Sequence, residues 1–176
     1  MTMEFLELAK NRYSERYFDS RPVEREKLEK ILEAGRICPT ACNNQPQRFY
    51  VLSSEEARAA AKEITPYTFN APVMILVCYD SREAWRTDID EYYESYSSGE
   101  QDAAIAAATM MYEAESLGVH TLWIRGFNSK AFVKRFDLPI RVIPVMLLAL
   151  GYPSADSRPA KLHGMRKPIQ EIAFEL

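Results

Sequence analysis

A long alanine- and methionine-rich segment, Gln101 to Leu117, constrains the fold of this chain more than any other feature. It predicts one helix with apolar side chains on nearly every side, whereas an ordinary surface helix carries a single apolar stripe. A helix of that kind is buried, at the centre of a domain or in a subunit interface. Gly118 follows the segment and predicts a C-terminal cap. The rest of the chain, alone or with a second copy, must therefore cover these apolar positions: Ala103, Ala104, Ile105, Ala106, Ala107, Ala108, Met110, Met111 and Ala114.

Shorter patterned segments on both sides of this helix alternate between helix and strand. Apolar spacing and capping signals predict helices at 5–9, 23–37 and 129–136, and one from a capping box at Ser53 and Glu56 to about Ile64. Runs of β-forming residues predict strands at 48–52, 72–79, 119–124 and 142–150. The acidic, tyrosine-rich stretch 82–98 is predicted to be helical and partly exposed. We expect an α+β or α/β sandwich, a small sheet covered by helices, in one domain over residues 1–176.

Composition excludes several classes of protein. The 176 residues are 47% apolar and 27% charged, which is typical of a folded globular chain. A net charge of −3 gives no general surface for nucleic acid. The longest apolar runs, 71–79 and 143–150, are far shorter than the roughly 20 residues that cross a bilayer. With no signal peptide visible at the start, we expect a cytoplasmic protein without a membrane or nucleic-acid partner.

Glycine and cysteine usage narrows the chemistry further. The chain has only 6 glycines and neither a G-x-G-x-x-G motif nor a P-loop, so any phosphate must be held in another way. Three cysteines, Cys38, Cys42 and Cys78, do not make a disulfide scaffold. His120 and His163 are the only histidines, so we expect no metal site and interpret the thiols as small half-buried side chains. A redox pair of Cys38 and Cys42 is the less favoured alternative.

Two basic clusters lie near the two ends of the chain. Arg12-Tyr13-Ser14-Glu15-Arg16 follows the first helix, and Arg166-Lys167-Pro168 lies near the C-terminus. Guanidinium groups bind phosphate through paired hydrogen bonds and stay charged, and a serine hydroxyl can donate another bond. Folded together, the clusters would hold one terminal phosphate without a glycine loop. Judged on composition alone, solvated surface charges are the more favoured interpretation.

The loop Pro39-Thr40-Ala41-Cys42-Asn43-Asn44-Gln45-Pro46 collects amide and hydroxyl groups between two prolines. Such a loop can present hydrogen-bonding groups to a flat heterocycle. An ordinary connecting loop with Asx turns is the alternative.

Together these segments resemble the nitroreductase family of FMN-dependent oxidoreductases, in its short form. The segment from Arg12 to Phe18 resembles the N-terminal R-x-S-x-R-x-F motif. The resemblance implies FMN phosphate and ribityl contacts by Arg12, Tyr13, Ser14 and Arg16. The proline-bounded loop resembles P-S-[AS]-x-N-x-Q-P, with Thr40 in place of serine. It implies that the loop reaches a flavin bound mainly by the other subunit, through Pro39, Thr40, Ala41, Asn43 and Gln45.

Further motifs follow in the order of the family. Trp123-Ile124-Arg125-Gly126-Phe127 resembles the segment that sets backbone groups against the flavin ring, which implies contacts by Ile124, Arg125 and Gly126. Ala149-Leu150-Gly151-Tyr152-Pro153 resembles the end of the last core strand. Arg166 resembles the C-terminal phosphate-binding arginine, with Lys167 beside it.

Two positions depart from the family pattern. Gln47 stands where members often have tryptophan, and Arg125 where some have an acidic residue. The positive charge of Arg125 suggests a hypothesis: it favours acidic substrates or a phosphorylated nicotinamide cofactor. The group near flavin N1 has no assigned residue.

The resemblance implies a nitroreductase-like α/β/α sandwich with a small mixed, mainly antiparallel sheet and the long helix at a homodimer interface. It implies hydride transfer from NADH or NADPH through flavin N5 to a nitroaromatic or quinone, in a ping-pong cycle with no catalytic side chain. Tyr92, Tyr93, Tyr96 and Trp85 either wall the substrate side or pack between helices. Alternatives are a flavin-binding sensor or carrier, a specialised flavin enzyme of the same fold acting on a dedicated metabolite, and a thiol redox protein.

Overall fold

The computed structural model describes residues 4–87 and 96–176. Five helices lie in this part of the chain: α1 (Phe5–Asn11), α2 (Arg25–Ile37), α3 (Glu55–Ile64), α4 (Gly99–Ser116) and α5 (Ser129–Arg135). The strands are β1 (Gln47–Leu52), β2 (Val73–Asp80), β3 (Arg86–Thr87), β4 (Tyr96–Ser97), β5 (His120–Ile124) and β6 (Val142–Gly151). Short 3-10 turns lie at Ala41–Asn43, Pro66–Thr68 and Ile169–Glu171. All the long predicted helices and strands outside 82–98 are therefore confirmed, with ends shifted by a few residues.

The main sheet has four strands in the order β1-β2-β6-β5, and each neighbouring pair is antiparallel. The register between β2 and β6 shifts between Val77 and Cys78, and Cys78 lies opposite Pro144. Proline has no N–H for the ladder, so a bulge at this point is expected. The parallel component of the predicted mixed sheet is a single bridge between Ser14 and Thr121 on β5.

Helices cover both faces of this sheet. One buried cluster packs α2 and α4 against Ile75, Val77 and Leu148, and the other packs α3 and α5 against Leu76 and Leu147. Alternating side chains of a strand point to opposite faces, which explains how adjacent residues serve different clusters. The fold is an α+β sandwich with helices on either side of a small antiparallel sheet.

The central helix α4 is buried along one side within a single chain. Ala103, Ala107 and Met110 have no exposed surface, whereas Ile105 is 41% exposed. Gly118 adopts φ +70° just beyond the helix. The N–H of Val119 donates to the Ala114 carbonyl at 2.8 Å, and that of Gly118 to Glu115 at 3.0 Å, so the predicted glycine cap is confirmed as a Schellman motif.

The predicted helix at 82–98 is wrong in the described part of that stretch. The carboxylate of Asp80 accepts a hydrogen bond from the N–H of Arg82 at 3.0 Å, which turns the chain at the end of β2. Arg86 then pairs with Ser97, so β3 and β4 form a small antiparallel ribbon. Tyr96 lies in β4, while Tyr92 and Tyr93 fall outside the described residues.

The predicted capping box at Ser53 is shifted by one residue. Ser54 is the N-cap of α3, and its side chain accepts a hydrogen bond from the N–H of Ala57 at 3.2 Å. Ser53 therefore belongs to the turn after β1, because the helix begins only at Glu55.

Candidate functional site

Glu15 organises the N-terminal basic motif. Its side chain is fully buried, and one carboxylate oxygen accepts from the backbone N–H groups of Arg16 at 2.8 Å and Tyr17 at 2.7 Å. The other oxygen accepts from the hydroxyl of Tyr13 at 3.0 Å and from that of Ser157. The carboxylate therefore fixes the chain path between Tyr13 and Tyr17.

The surroundings of Glu15 keep it ionised. Burial acts to raise the pKa of this carboxyl, but the hydrogen bonds from Ser157, Tyr17, Tyr13 and Arg16 outweigh it and lower the pKa below its ordinary value. Tyr13 is committed to the same network, and burial raises the pKa of its hydroxyl. Because its ring also meets His120 edge to face at 5.0 Å, the predicted ribityl-binding residue Tyr13 packs inward.

In the described part of the chain, the guanidinium group of Arg12, unlike the side chains of Glu15 and Tyr13, is not fully hydrogen-bonded. Within residues 4–87 and 96–176, its Nη1 atom is buried and has no hydrogen-bond partner. A buried donor without an acceptor costs about 1–3 kcal/mol, and more when the group is charged. An anionic group bound at Nη1 would satisfy this donor, although among the described residues Arg12 is not part of the lining of the cleft at Arg16 and Arg125.

A cleft of about 430 Å³ collects several of the predicted residues. Arg16 from the N-terminal motif meets Ile124, Arg125 and Gly126 from the end of β5 in its lining. Aromatic and apolar side chains form the remaining walls: Tyr67, Phe69, Leu122 and Trp123. A cleft with flat apolar walls and two guanidinium groups suits a planar, negatively charged ligand.

The backbone at the end of β5 is held in a tight turn. The N–H of Phe127 donates to the Arg125 carbonyl at 2.9 Å, and the hydroxyl of Thr65 donates to the Gly126 carbonyl at 2.6 Å. A Cβ atom at residue 126 would lie 2.7 Å from the ring of Tyr67, so any side chain there would force that ring to move. The side chain of Arg125 is tethered as well, because its Nη1 donates to the Val145 carbonyl.

The proline-bounded loop lies apart from this cleft within one chain. The Ala41 N–H donates to Asp102 at 2.9 Å, and the Gln45 N–H donates to Thr40 at 3.0 Å. Cys42, Asn43 and Gln45 adopt positive φ, which is uncommon outside glycine and shows how tightly the loop is shaped. Of the predicted loop residues Pro39, Thr40, Ala41, Asn43 and Gln45, none lines the cleft of its own chain in the described structure.

The C-terminal basic cluster docks near the N-terminal one. Nε2 of His163 lies 2.9 Å from the carbonyl oxygen of Lys10, and its ring centroid lies 6.0 Å from that of Tyr13. Arg166 itself is exposed and donates to the carbonyls of His163 and Met165. Lys167 is exposed too, with Nζ 3.9 Å from Glu171. The chain ends thus meet as predicted, but the cleft lining does not include Arg166 or Lys167 among the residues described.

Besides Leu122 in the cleft wall, the sequence-based prediction missed four residues of this site. Tyr67 and Phe69 lie between α3 and β2, and Thr65 anchors the same segment. The aromatic pair in Pro66-Tyr67-Thr68-Phe69-Asn70 was the available signal, although nothing local shows that it faces β5. The fourth, Glu15, stood inside the motif, but its burial could not be inferred from a surface-like sequence.

Other chemistries have little support in the described residues. Over 4–87 and 96–176, no three His, Cys, Asp or Glu side chains are grouped to hold a metal ion. Cys38, Cys42 and Cys78 are unpaired, and burial raises the pKa of the Cys38 thiol, which disfavours its reactive thiolate. No helix in the described ranges is both long and apolar enough to cross a membrane.

Comparisons with known proteins agree with this fold. An FMN reductase [NAD(P)H] of Bacillus subtilis strain 168 is 30% identical over 154 residues, which cover 79% of this chain and 61% of that protein. A nitroreductase family protein from Clostridium difficile 630 superposes with a TM-score of 0.89 at 36% identity, over 98% of both chains. An oxidoreductase containing FMN superposes with a TM-score of 0.77 at 26% identity, over 96% of this chain and 89% of that one. The model of the nitroreductase family matches residues 9–69 and 64–152, so the chain belongs to the nitroreductase family.

Proposed function

We propose that this protein is an FMN-dependent oxidoreductase that takes hydride from NADH or NADPH and delivers it to an electron-poor acceptor such as a nitroaromatic or a quinone, in a ping-pong cycle. Residues 1–176 act as one FMN-binding domain. When bound, FMN supplies the hydride chemistry at its N5 atom, and the protein supplies position and electrostatics.

The observation that carries this proposal is the convergence of Arg16 with Ile124, Arg125 and Gly126 on one cleft. These residues come from the two motifs that the resemblance assigns to the ribityl chain and the flavin ring. The aromatic walls, Tyr67 and Trp123, suit an aromatic ring system. Gly126 has no side chain of its own, so its backbone packs directly beneath the ring of Tyr67 in the cleft lining.

The residues also fit the phosphate end of FMN. Among the residues that the structure describes, the buried Nη1 of Arg12 has no hydrogen-bond partner, and a phosphate oxygen is a strong acceptor for a guanidinium N–H. Ser14 lies two residues further, on the bridge to β5. Arg166 and Lys167 form the second basic cluster on the neighbouring tail, and we assign them to the same phosphate. A relative that is an FMN reductase and a structural neighbour that contains FMN support the cofactor.

We further propose that two chains form a homodimer that completes each cleft. Ile105 exposes an apolar side chain on α4, and the C-terminal tail exposes Ile169, Ile172 and Phe174. The loop residues that do not reach their own cleft are free to reach that of the partner. The three unpaired cysteines suit a reducing compartment, and we place the protein in the cytoplasm.

Purified protein reconstituted with FMN tests the function. We expect a yellow protein whose absorption bleaches when NADH or NADPH is added without oxygen and returns when a quinone or nitroaromatic follows. Parallel double-reciprocal lines would support the ping-pong cycle. Protein that binds FMN but turns over no acceptor would instead be a sensor or carrier, and protein that cannot be loaded with FMN would refute the proposal.

A further inference from the structure

Thr65 occupies a junction that none of the family motifs covers. It follows the last residue of α3 and precedes the 3-10 turn that carries Tyr67. Its backbone N–H donates the last helical hydrogen bond of α3, to the Ala61 carbonyl at 3.0 Å. The side chain is 1% exposed, so its hydroxyl group needs partners inside the protein.

The hydroxyl has two partners, and both belong to residues that line the cleft. It donates to the Gly126 carbonyl at 2.6 Å, and it accepts from the N–H of Tyr67 at 3.3 Å. A threonine hydroxyl has one proton, so the bond to the carbonyl uses it and leaves the lone pairs for the N–H. Thr65 thus joins the aromatic wall at Tyr67 to the backbone turn at the end of β5.

These bonds fix the orientation of two peptide groups. The carbonyl of Arg125 accepts from Phe127, which closes the turn, and the carbonyl of Gly126 accepts from Thr65. Both carbonyl oxygens therefore already accept hydrogen bonds from this chain. The N–H of Phe127 is used by its bond to Arg125, so the donor that the described part of the turn can offer a ligand is the N–H of Gly126. Its direction depends on the two adjoining peptide planes that these bonds hold.

The ring of Tyr67 adds a steric constraint to the same turn. Its Cδ2 and Cε2 atoms both lie 2.7 Å from the position of a Cβ at Gly126, so the ring lies directly over this residue. The ring is also stacked near Phe69, with centroids 6.5 Å apart. Because Thr65 holds the N–H of Tyr67, a loss of its hydroxyl would release the ring and the turn together.

We propose that Thr65 is a positioning residue of the cofactor cleft: its hydroxyl sets the Gly126 peptide and the Tyr67 ring so that the turn presents an N–H to the ligand. This role rests on the proposed function in that FMN is the ligand. It assigns to Thr65 no contact with the cofactor and no step of the reaction.

Two substitutions separate the hydroxyl from the shape of the side chain. Thr65→Val keeps the volume and removes both hydrogen bonds, whereas Thr65→Ser keeps the hydroxyl and loses only a methyl group. Ser54→Ala is the matched control, because it removes a hydroxyl that caps the opposite end of α3. The ten residues of that helix separate the two ends by about 15 Å.

Two readouts on these proteins test the proposal. Amide hydrogen exchange in the FMN-free protein reports the turn directly, and fluorescence titration with FMN reports the ligand. For Thr65→Val we expect exchange at Tyr67 and Phe127 to rise about tenfold, and FMN affinity to fall about tenfold, since one buried hydrogen bond contributes roughly that factor. Thr65→Ser and Ser54→Ala should stay within about twofold of the unaltered protein in both measurements.

The outcomes distinguish this role from the proposed function. If Thr65→Val leaves amide exchange or FMN affinity unchanged, or if Thr65→Ser is as damaged as Thr65→Val, the positioning role is wrong and the oxidoreductase proposal stands. If the unaltered protein binds no FMN, the proposed function fails together with the ligand assigned to Thr65. The exchange measurement on the FMN-free protein would then still decide whether Thr65 holds the turn.

Discussion

The carboxylate of Asp102 lies 2.9 Å from the backbone nitrogen of Ala41 and accepts its hydrogen bond. Asp102 stands in the first turn of α4 and is 2% exposed, and its second oxygen accepts from the Ser98 hydroxyl at 2.7 Å. The helix that forms the core therefore also shapes the loop that we expect to reach the partner's cofactor.

Removal of this carboxylate should loosen the loop. We expect Asp102→Ala to lower the free energy of unfolding by about 1–3 kcal/mol, because it leaves the Ala41 N–H and the Ser98 hydroxyl without their acceptor. Glu100→Ala removes an exposed carboxylate from the same helix turn and should cost under about 0.5 kcal/mol. Urea denaturation of both variants measures the difference, and equal losses would contradict the anchoring role.

Arg12 should discriminate FMN from riboflavin, which lacks the phosphate. We expect Arg12→Ala to weaken FMN binding about 10- to 100-fold, since a hydrogen bond to a charged group contributes roughly 1.5–3 kcal/mol. Riboflavin binding should change far less. Arg135→Ala, an exposed arginine on α5, is the control. Equal losses for the two flavins would show that Arg12 does not bind the phosphate.

Glu15 should make stability depend on pH. Its pKa is lower in the folded protein than its ordinary value of 4.5, because four hydrogen bonds outweigh the cost of burial. A lowered folded pKa contributes stability that is present above about pH 4.5 and is lost as the pH falls through the folded pKa. The stability difference between the native protein and Glu15→Gln should therefore shrink below pH 4.5. Thermal unfolding from pH 3 to 7 tests this, with exposed Glu63→Gln as the control.

Gly126 should tolerate no side chain while Tyr67 covers it. We expect Gly126→Ala to weaken FMN binding by about tenfold, since the added methyl group displaces the ring and the turn, and overpacking of this kind costs roughly 1–3 kcal/mol. Tyr67→Ala should partly restore binding to that variant by making room. Gly164→Ala meets no atom within 4 Å and should bind FMN normally. If the double variant does not regain FMN affinity, the contact between residue 126 and the Tyr67 ring is not the cause of the loss.

Arg125 should influence the choice of electron donor. Its guanidinium lines the cleft and is held there by the Val145 carbonyl. We expect Arg125→Ala to lower kcat/KM with NADPH about fivefold relative to NADH, because one charge-assisted contact to the extra phosphate is lost. Steady-state kinetics with both donors measure this ratio. If the ratio of kcat/KM values for NADPH and NADH is unchanged, and rates with acidic acceptors are unchanged too, Arg125 does not select the substrate.

The helices and strands could largely be predicted from the sequence, because their signals are local. The apolar run 72–79 predicted β2, and Gly118 predicted the end of α4. The helix predicted for 82–98 was wrong because the turn there depends on Asp80, and because the strands pair residues that are eleven positions apart, Arg86 with Ser97. Charge and tyrosine content do not distinguish such a ribbon from an exposed helix.

The candidate site was predictable only where a motif marked it. Arg16 and Gly126 belong to recognisable segments, whereas Thr65 meets Gly126 across 61 residues and carries no pattern of its own. Glu15 looked like one more surface charge, because its burial depends on Ser157 near the other end of the chain. Contacts of this range arise from the fold as a whole, so a local pattern cannot reveal them.

The buried carboxylate of Glu15 also sets an order of events during synthesis. Three of its four hydrogen bonds come from its neighbours Tyr13, Arg16 and Tyr17, but the fourth comes from Ser157, 142 residues later, so the set is completed only after residue 157 has been made. Translation proceeds from the N-terminus at about 5–20 residues per second, and the earlier strands can pair during that time. The segment that carries Arg12 and Arg16 is made early, but the hydrogen-bond set that fixes its path closes only when the tail around Ser157 docks against it.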